Sequence, residues 1–297
     1  MTYDGKIDIT FHEGEKSRPM AVFIHGLGMD KNIWTDPGKS RIMAGRFPLD
    51  VLLREKPVAR TSREKPRTVY KVTAGTTPKK FNTLFHQFKT MGFHVLAWSQ
   101  KRPASNADKA VNELKAILHD YSGFTHNGVI LTGHSRGGIV GRSYALQFPH
   151  NIRALISIAS PFRGSSLARW ADIISKTLVL INPFLKNTQK GTVKNNIKHV
   201  LDFINSTAVK ELLPGSELLT SLDSLLPPHI KSICIAGTHP ELFSLYSWHV
   251  NCKKNRYMLK PKLLFTFPGS LGKLLPDMIV PDEMRNGRGD GLVTKES

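Results

Sequence analysis

Gly128-Val129-Ile130-Leu131-Thr132-Gly133-His134-Ser135-Arg136-Gly137-Gly138-Ile139-Val140-Gly141 is the stretch that decides the fold. Val129, Ile130 and Leu131 form a short apolar run, the pattern of a buried strand. A glycine turn follows with Ser135 at its tip, and Ile139, Val140, Tyr144 and Leu146 then recur at helical offsets. Gly133, Ser135 and Gly137 stand in the three fixed places of a G-x-S-x-G pattern. The spacing has a steric cause. A serine projecting from the top of a sheet needs a strained backbone, and side chains two residues before and after would collide with neighbouring main chain. Two glycines flanking one of about twenty serines would arise by chance in roughly one such chain in ten. The weight of the pattern therefore comes from the strand before it and the helix after it.

Working outward, Met20 to Ile24 is a second apolar run, and it ends in His25-Gly26-Leu27-Gly28. Glycines there let the backbone bend and aim the N–H of Leu27 toward whatever occupies the serine turn. Ile7, Ile9 and Phe11 alternate with polar residues as an edge strand would. Phe93 to Trp98 and Ile152 to Ala159 read as further strands. Phe81, Leu84, Phe85 and Phe88 keep helical spacing. Asn106 is a candidate N-cap for a helix that turns Val111, Leu114, Ile117 and Leu118 to one side. Strands alternating with helices predict an α/β fold with a mostly parallel, wound sheet flanked by helices.

The chain has 297 residues, enough for a substantial core. Its 42 basic and 23 acidic residues leave a net charge of +19, which favours anionic partners and says nothing of fold. No zinc-finger spacing or RNA-recognition signature is present, so no specific nucleic-acid partner is expected. Cys234 and Cys252 suggest neither a disulfide framework nor a metal site. No metal or cofactor is expected. The longest apolar stretch, near Ile173 to Leu185, is interrupted by Lys176, Asn182 and Pro183 and is too short to span a bilayer. The start of the chain lacks a basic-then-apolar signal segment. The expected location is cytoplasmic, with a peripheral place at a membrane as its extension.

Three departures from the alternating pattern shape the expected organisation. An insertion at about 35–80 carries nine basic residues between Arg54 and Lys80 against Glu55 and Glu64, the charge of a solvated loop or of a contact with an anionic membrane surface. Residues 162–228 read as a helical cap, with Ile197, Val200, Leu201 and Ile204 at i, i+3, i+4, i+7. The core then spans residues 1–161 and 229–297. Ile230 to Gly237 returns to the sheet, and a long irregular segment is expected from there to Arg285.

With these residues in place the chain resembles the α/β-hydrolase family, and within it bacterial triacylglycerol lipases and related esterases. His25-Gly26-Leu27-Gly28 is similar to their oxyanion loop and Gly133 to Gly138 to their nucleophile elbow. Ser160-Pro161-Phe162-Arg163-Gly164-Ser165 is similar to their T-P-H-x-G-S segment, with Phe162 at the histidine place. Leu213-Pro214-Gly215-Ser216 and Asp290-Gly291-Leu292-Val293 match two further lipase segments, the latter the one that supplies the triad acid.

The resemblance implies cleavage of carboxylic esters of lipid or acyl type. Ser135 would be the nucleophile, Asp290 the acid, and the N–H groups of Leu27 and Arg136 the oxyanion donors. The family order is serine, acid, histidine, yet only seven residues follow Asp290 and none is histidine. The first expectation is a chain that stops before the family's last strand and its histidine. His239 or His249 is the alternative base. A third reading is an inactive hydrolase-fold protein that binds anionic lipid or membrane surfaces.

Overall fold

The computed structural model describes residues 7–42, 47–48, 54–64, 72–76, 81–165, 205–253, 256–273, 278 and 280–297. Strands β1 (Asp8–His12), β2 (Met20–Ile24), β7 (His94–Ser99), β8 (Val129–His134), β9 (Ile152–Ile158) and β10 (Lys231–Ile235) form one sheet in the order β1-β7-β2-β8-β9-β10. Only β1 runs antiparallel to its neighbour, so five of the six strands point the same way. Every residue of β2 is buried, as expected of a central strand covered on both faces.

Helices α1 (Asn32–Thr35), α2 (Leu84–Thr90), α3 (Ala107–Asp120) and α4 (Arg136–Gln147) accompany the sheet. Helix α3 buries Ala110, Val111, Leu114, Ile117 and Leu118 against β2, β8 and α4 residues in the largest apolar cluster. A second cluster, Ala21, Phe23, Trp34, Phe85, Val95 and Ala97, fills the opposite side of the sheet. The expected sheet and its order of strands and helices are thus present, and the architecture is the α/β-hydrolase fold.

Asn106 does occupy the N-cap position of α3, but its side chain makes no cap hydrogen bond. The N–H of Ala107 instead donates to both oxygens of Glu211, at 3.1 and 2.9 Å. A carboxylate from 104 positions away does the work expected of a local amide.

The expected irregular segment before Arg285 is not irregular. β11 (Glu241–Lys253) and β12 (Arg256–Pro268) are an antiparallel hairpin of two 13-residue strands. The basic insertion contributes β5 (Arg60–Ser62) and β6 (Val72–Ala74), which pair with β12 and β11 to give the sheet β5-β12-β11-β6. A two-residue pair, β3 (Arg41–Ile42) and β4 (Phe47–Pro48), precedes them. The hairpin escaped sequence reading because Phe243, Leu245, Tyr246, Trp248 and Val250 put apolar residues on both faces, which hides the period of two.

Within 162–228, α5 (Thr207–Lys210) and α6 (Glu217–Ser221) are helical and no strand occurs among the described residues. The repeat Ile197, Val200, Leu201, Ile204 lies outside the described residues, as does the apolar stretch near Ile173. Helix α7 (Gly269–Gly272) follows β12. No helix among the described residues is long and apolar enough to cross a membrane.

Candidate active site

Ser135 sits where β8 ends and α4 begins, with φ 54° and ψ −126°. A non-glycine residue held there is strained by about 1–3 kcal/mol, and persists only where its surroundings fix it. The surroundings are visible. A Cβ on Gly133 would lie 2.3 Å from the carbonyl carbon of Gly137 and the nitrogen of Gly138. One on Gly137 would lie 2.3 Å from the carbonyl oxygen of Ile24. Both glycines are therefore sterically required, as their spacing predicts. The Ser135 N–H donates to Ile158 O at 2.8 Å, and its own carbonyl accepts from Gly138 N at 3.0 Å.

The loop after β2 packs onto this turn. A Cβ on Gly26 would stand 3.1 Å from Ser135 Cβ. Neither the N–H of Leu27 nor that of Arg136 donates to any group among the described residues, which leaves both available. The structure thus brings together Ser135, Leu27 and Arg136.

The loop is held by a buried polar chain that sequence reading did not find. Arg136 is 1% exposed. Its Nη1 donates to Gln100 Oε1 at 3.1 Å, and its Nη2 donates to Ser105 O at 2.6 Å and lies 3.7 Å from Glu211 Oε2. The backbone N–H of Gln100 donates to His25 Nε2 at 3.0 Å. That bond fixes the tautomer: Nδ1 carries the proton and donates to Gly26 O at 2.9 Å. Burial drives the His25 pKa down to about 4, with the positive charge of Arg136 adding to the shift. Burial also lowers the Arg136 pKa, against the opposing pull of Glu211, and raises that of Glu211. The guanidinium therefore ties the elbow, the β7 end and the base of the 205–222 segment into one unit.

Asp290 lies in the turn that follows the hairpin. Its Oδ1 accepts from the N–H groups of Leu292 at 2.9 Å and Val293 at 2.8 Å. A Cβ on Gly237, just past β10, would be 2.6 Å from Asp290 Cβ, so the aspartate reaches the carboxyl end of the sheet, where sites of this architecture open. Its charge acts on His134, whose pKa is lowered by burial and pulled back by Asp290. The Ser165 hydroxyl donates to Leu292 O at 2.6 Å and fastens this turn to the Ser160–Ser165 loop.

Neither candidate base hydrogen-bonds Ser135, and each has other partners. His239 is 70% exposed at its side chain and lies between β10 and β11. Its Nε2 meets Glu241 Oε2 at 2.8 Å and its Nδ1 meets Asn286 Oδ1 at 3.3 Å. These bonds, that to Glu241 foremost, raise its pKa. His249 is exposed on β11, opposite Lys260, with Ser247 Oγ at 3.2 Å. No described side chain hydrogen-bonds the Ser135 hydroxyl. No group of ligands able to hold a metal ion occurs among the described residues.

An apolar wall borders the elbow. Ile139 of α4 packs with Leu212, Leu219 and Leu222, and Leu27 and Phe162 lie against that cluster.

The parallel sheet, the strand–serine–helix turn and the glycine packing around it define a chain with the α/β-hydrolase fold that resembles lipases and esterases. A family model described as the PGAP1-like alpha/beta domain matches residues 99–245. Among solved structures, a lipase of Bacillus licheniformis in its mature form is 16% identical, with 98% of this chain and 84% of that chain covered and a TM-score of 0.48. A structure from Nitrososphaera gargenis described with carboxylesterases is 13% identical, covers 78% of each chain and gives 0.38. A monoacylglycerol lipase of Paleococcus ferrophilus is 14% identical, with 78% and 89% covered and 0.35. No curated protein matches the sequence.

Proposed function

We propose that this chain is a serine hydrolase that cleaves carboxylic esters, of lipid or acyl type, through an acyl-enzyme on Ser135. The backbone of Ser135 carries the proposal. A serine held at φ 54° between two glycines that admit no side chain has its hydroxyl aimed out of the sheet end. In this reading Ser135 Oγ bonds the ester carbonyl carbon, the carbonyl oxygen takes negative charge, and the N–H groups of Leu27 and Arg136 stabilise it. Removing a donor of this kind costs about 3 kcal/mol of barrier. Collapse releases the alcohol with the proton a base took from Ser135, and water then frees the acid. Asp290 is the acid that would orient that base. His239 or His249 would have to leave its present partners to serve. The wall of Leu27, Phe162, Leu212 and Leu219 supports an acyl substrate.

Treatment with a fluorophosphonate probe tests this directly. Labelling of the native chain that vanishes in Ser135→Ala supports the proposal. A native chain that fails to label overturns it. The unpartnered Ser135 hydroxyl favours one second reading, a hydrolase-fold protein at the periphery of anionic membranes that binds lipid without cleaving it. Absence of labelling together with retained lipid binding is its signature.

A further inference from the structure

The sheet β5-β12-β11-β6 holds none of Ser135, Leu27, Arg136 and Asp290, and of the groups described above it carries only the candidate base His249 and Glu241, the partner of His239. Between 242 and 268 the hairpin holds five basic residues and no acidic one. Their placement is ordered by the pleat. Arg256, Met258, Lys260, Lys262 and Leu264 share the even-numbered side of β12, and Tyr257, Leu259 and Pro261 share the other. Pairing carries the first side across the sheet: Lys260 stands opposite His249, Lys262 opposite Ser247, and Ser247 opposite Val72. Arg256, Lys260, Lys262 and His249 are exposed, whereas Met258, Tyr257, Leu259 and Pro261 are partly covered and Leu263, opposite Tyr246, is exposed on the other side. A bulge across from Leu245 and Tyr246 leaves Leu264 outside the ladder and 52% exposed; Val72 is 54% exposed. Arg256, Lys260 and Lys262 form no ion pair among the described residues.

We propose that this face, the cations of Arg256, Lys260 and Lys262 interleaved with the aliphatic side chains of Val72, Met258 and Leu264, docks the protein on an anionic lipid bilayer. The chemistry favours a bilayer over a nucleic acid. Aliphatic side chains exposed between cations gain by entering the headgroup region, whereas the phenyl rings that the bulge brings to this side, Phe243, Phe265 and Phe267, are partly covered, with Phe243 stacked on Phe267 rather than open to a base. Arg256, Lys260 and Lys262 stand on one side of β12, so a surface of phosphates can meet them together. The partner class follows the lipid part of the function proposed above, but docking and cleavage fail separately. Lost docking with Ser135 labelling intact refutes this inference alone.

The test is co-sedimentation of the full chain with vesicles. One set is pure phosphatidylcholine and the other holds about 30% phosphatidylserine, each at about 0.1 M and about 1 M salt. The expected result is binding to the anionic vesicles that falls steeply with salt. Each basic residue at the surface contributes about fivefold, so Lys260→Glu/Lys262→Glu lowers the partition coefficient at least about 25-fold. Lys16→Glu/Lys109→Glu makes the same change of net charge at exposed positions of the sheet-and-helix core and leaves binding within about twofold of native. Leu264→Ser weakens binding at high salt, where the cations are screened. Unchanged circular dichroism in each variant shows that the fold is kept. Three results overturn the proposal: equal binding to neutral vesicles, equal loss in both charge variants, or displacement from vesicles by duplex DNA at matched phosphate.

Discussion

His25 makes the stability of the oxyanion loop depend on pH, and its size follows from the geometry. Nε2 accepts the Gln100 N–H and so has no proton; adding one turns an acceptor into a donor that faces a donor. The ring is buried and the Arg136 guanidinium is near, and together with desolvation this takes the pKa from 6.5 to about 4. Between those values the unfolded chain binds a proton at this position and the folded chain does not. Stability therefore rises with pH through this window, is fully present above about pH 6.5, and is lost as pH falls toward 4. A displacement of about 2.5 units corresponds to about 3 kcal/mol. Burial lowers the His134 pKa as well, so the native profile contains both contributions. Urea unfolding of the native chain and of His25→Asn, at half-unit steps from pH 7.5 to 4.5, separates them. The two curves are expected to converge by about 3 kcal/mol as the pH falls. Parallel curves, or an imidazole of His25 that titrates near 6.5 by nitrogen NMR in the folded protein, would refute the reasoning.

Arg136→Met leaves Gln100 Oε1, Ser105 O and the half-buried Glu211 carboxylate without their cation, and is expected to destabilise the fold by about 3–5 kcal/mol in urea. If the loss is under 1 kcal/mol, the guanidinium is not the tie described here. Ser135→Gly relieves the strained φ and is expected to stabilise by about 1 kcal/mol while it abolishes probe labelling; a destabilised variant would show that the strain is absent. Glu241→Gln removes the main cause of the raised His239 pKa, so the imidazole should titrate lower, toward its ordinary value, in an NMR titration. An unmoved titration would mean that Asn286 alone holds it.

The parts of the molecule legible in the sequence are those whose cause is local. Gly133 and Gly137 are required by atoms of a turn only a few residues long together with one crossing strand, and their spacing predicts the elbow once the apolar run before it and the helical offsets after it are read with it. The helical face of α3 was legible because its apolar residues recur within fourteen positions. Its cap was not. Glu211 has no signal in its own neighbourhood that points to Ala107, because only folding brings the two together. The hairpin failed for another reason. Its strands are apolar on both sides near Tyr246 and Trp248, so period and burial no longer coincide, and the pairing of β5 and β6 to it spans about 180 positions. Arg256, Lys260 and Lys262 of the hairpin alternate along β12, but the neighbours placed beside them, His249, Ser247 and Val72, depend on a register that no local pattern states.

The residue after the nucleophile shows how little of a site's chemistry a motif expresses. In the pattern G-x-S-x-G it is a free position, asked only for its N–H. Here its side chain runs beneath the turn and reaches Gln100, which supplies the N–H that fixes the tautomer of His25, which in turn holds Gly26 and so sets the direction of the Leu27 N–H. Both proposed oxyanion donors are thereby coupled through one buried guanidinium. A side-chain change at Gln100 removes the acceptor of Arg136 Nη1 but keeps the backbone N–H that His25 accepts, so it should disturb the Arg136 donor first and the Leu27 donor only as far as the end of β7 shifts. Gln100→Leu then slows labelling at Ser135 more than either neighbour's distance from the reacting atoms suggests. Gln100→Glu keeps an acceptor for Nη1 and should restore most of the rate. If both substitutions slow labelling equally, the coupling is not carried by that hydrogen bond.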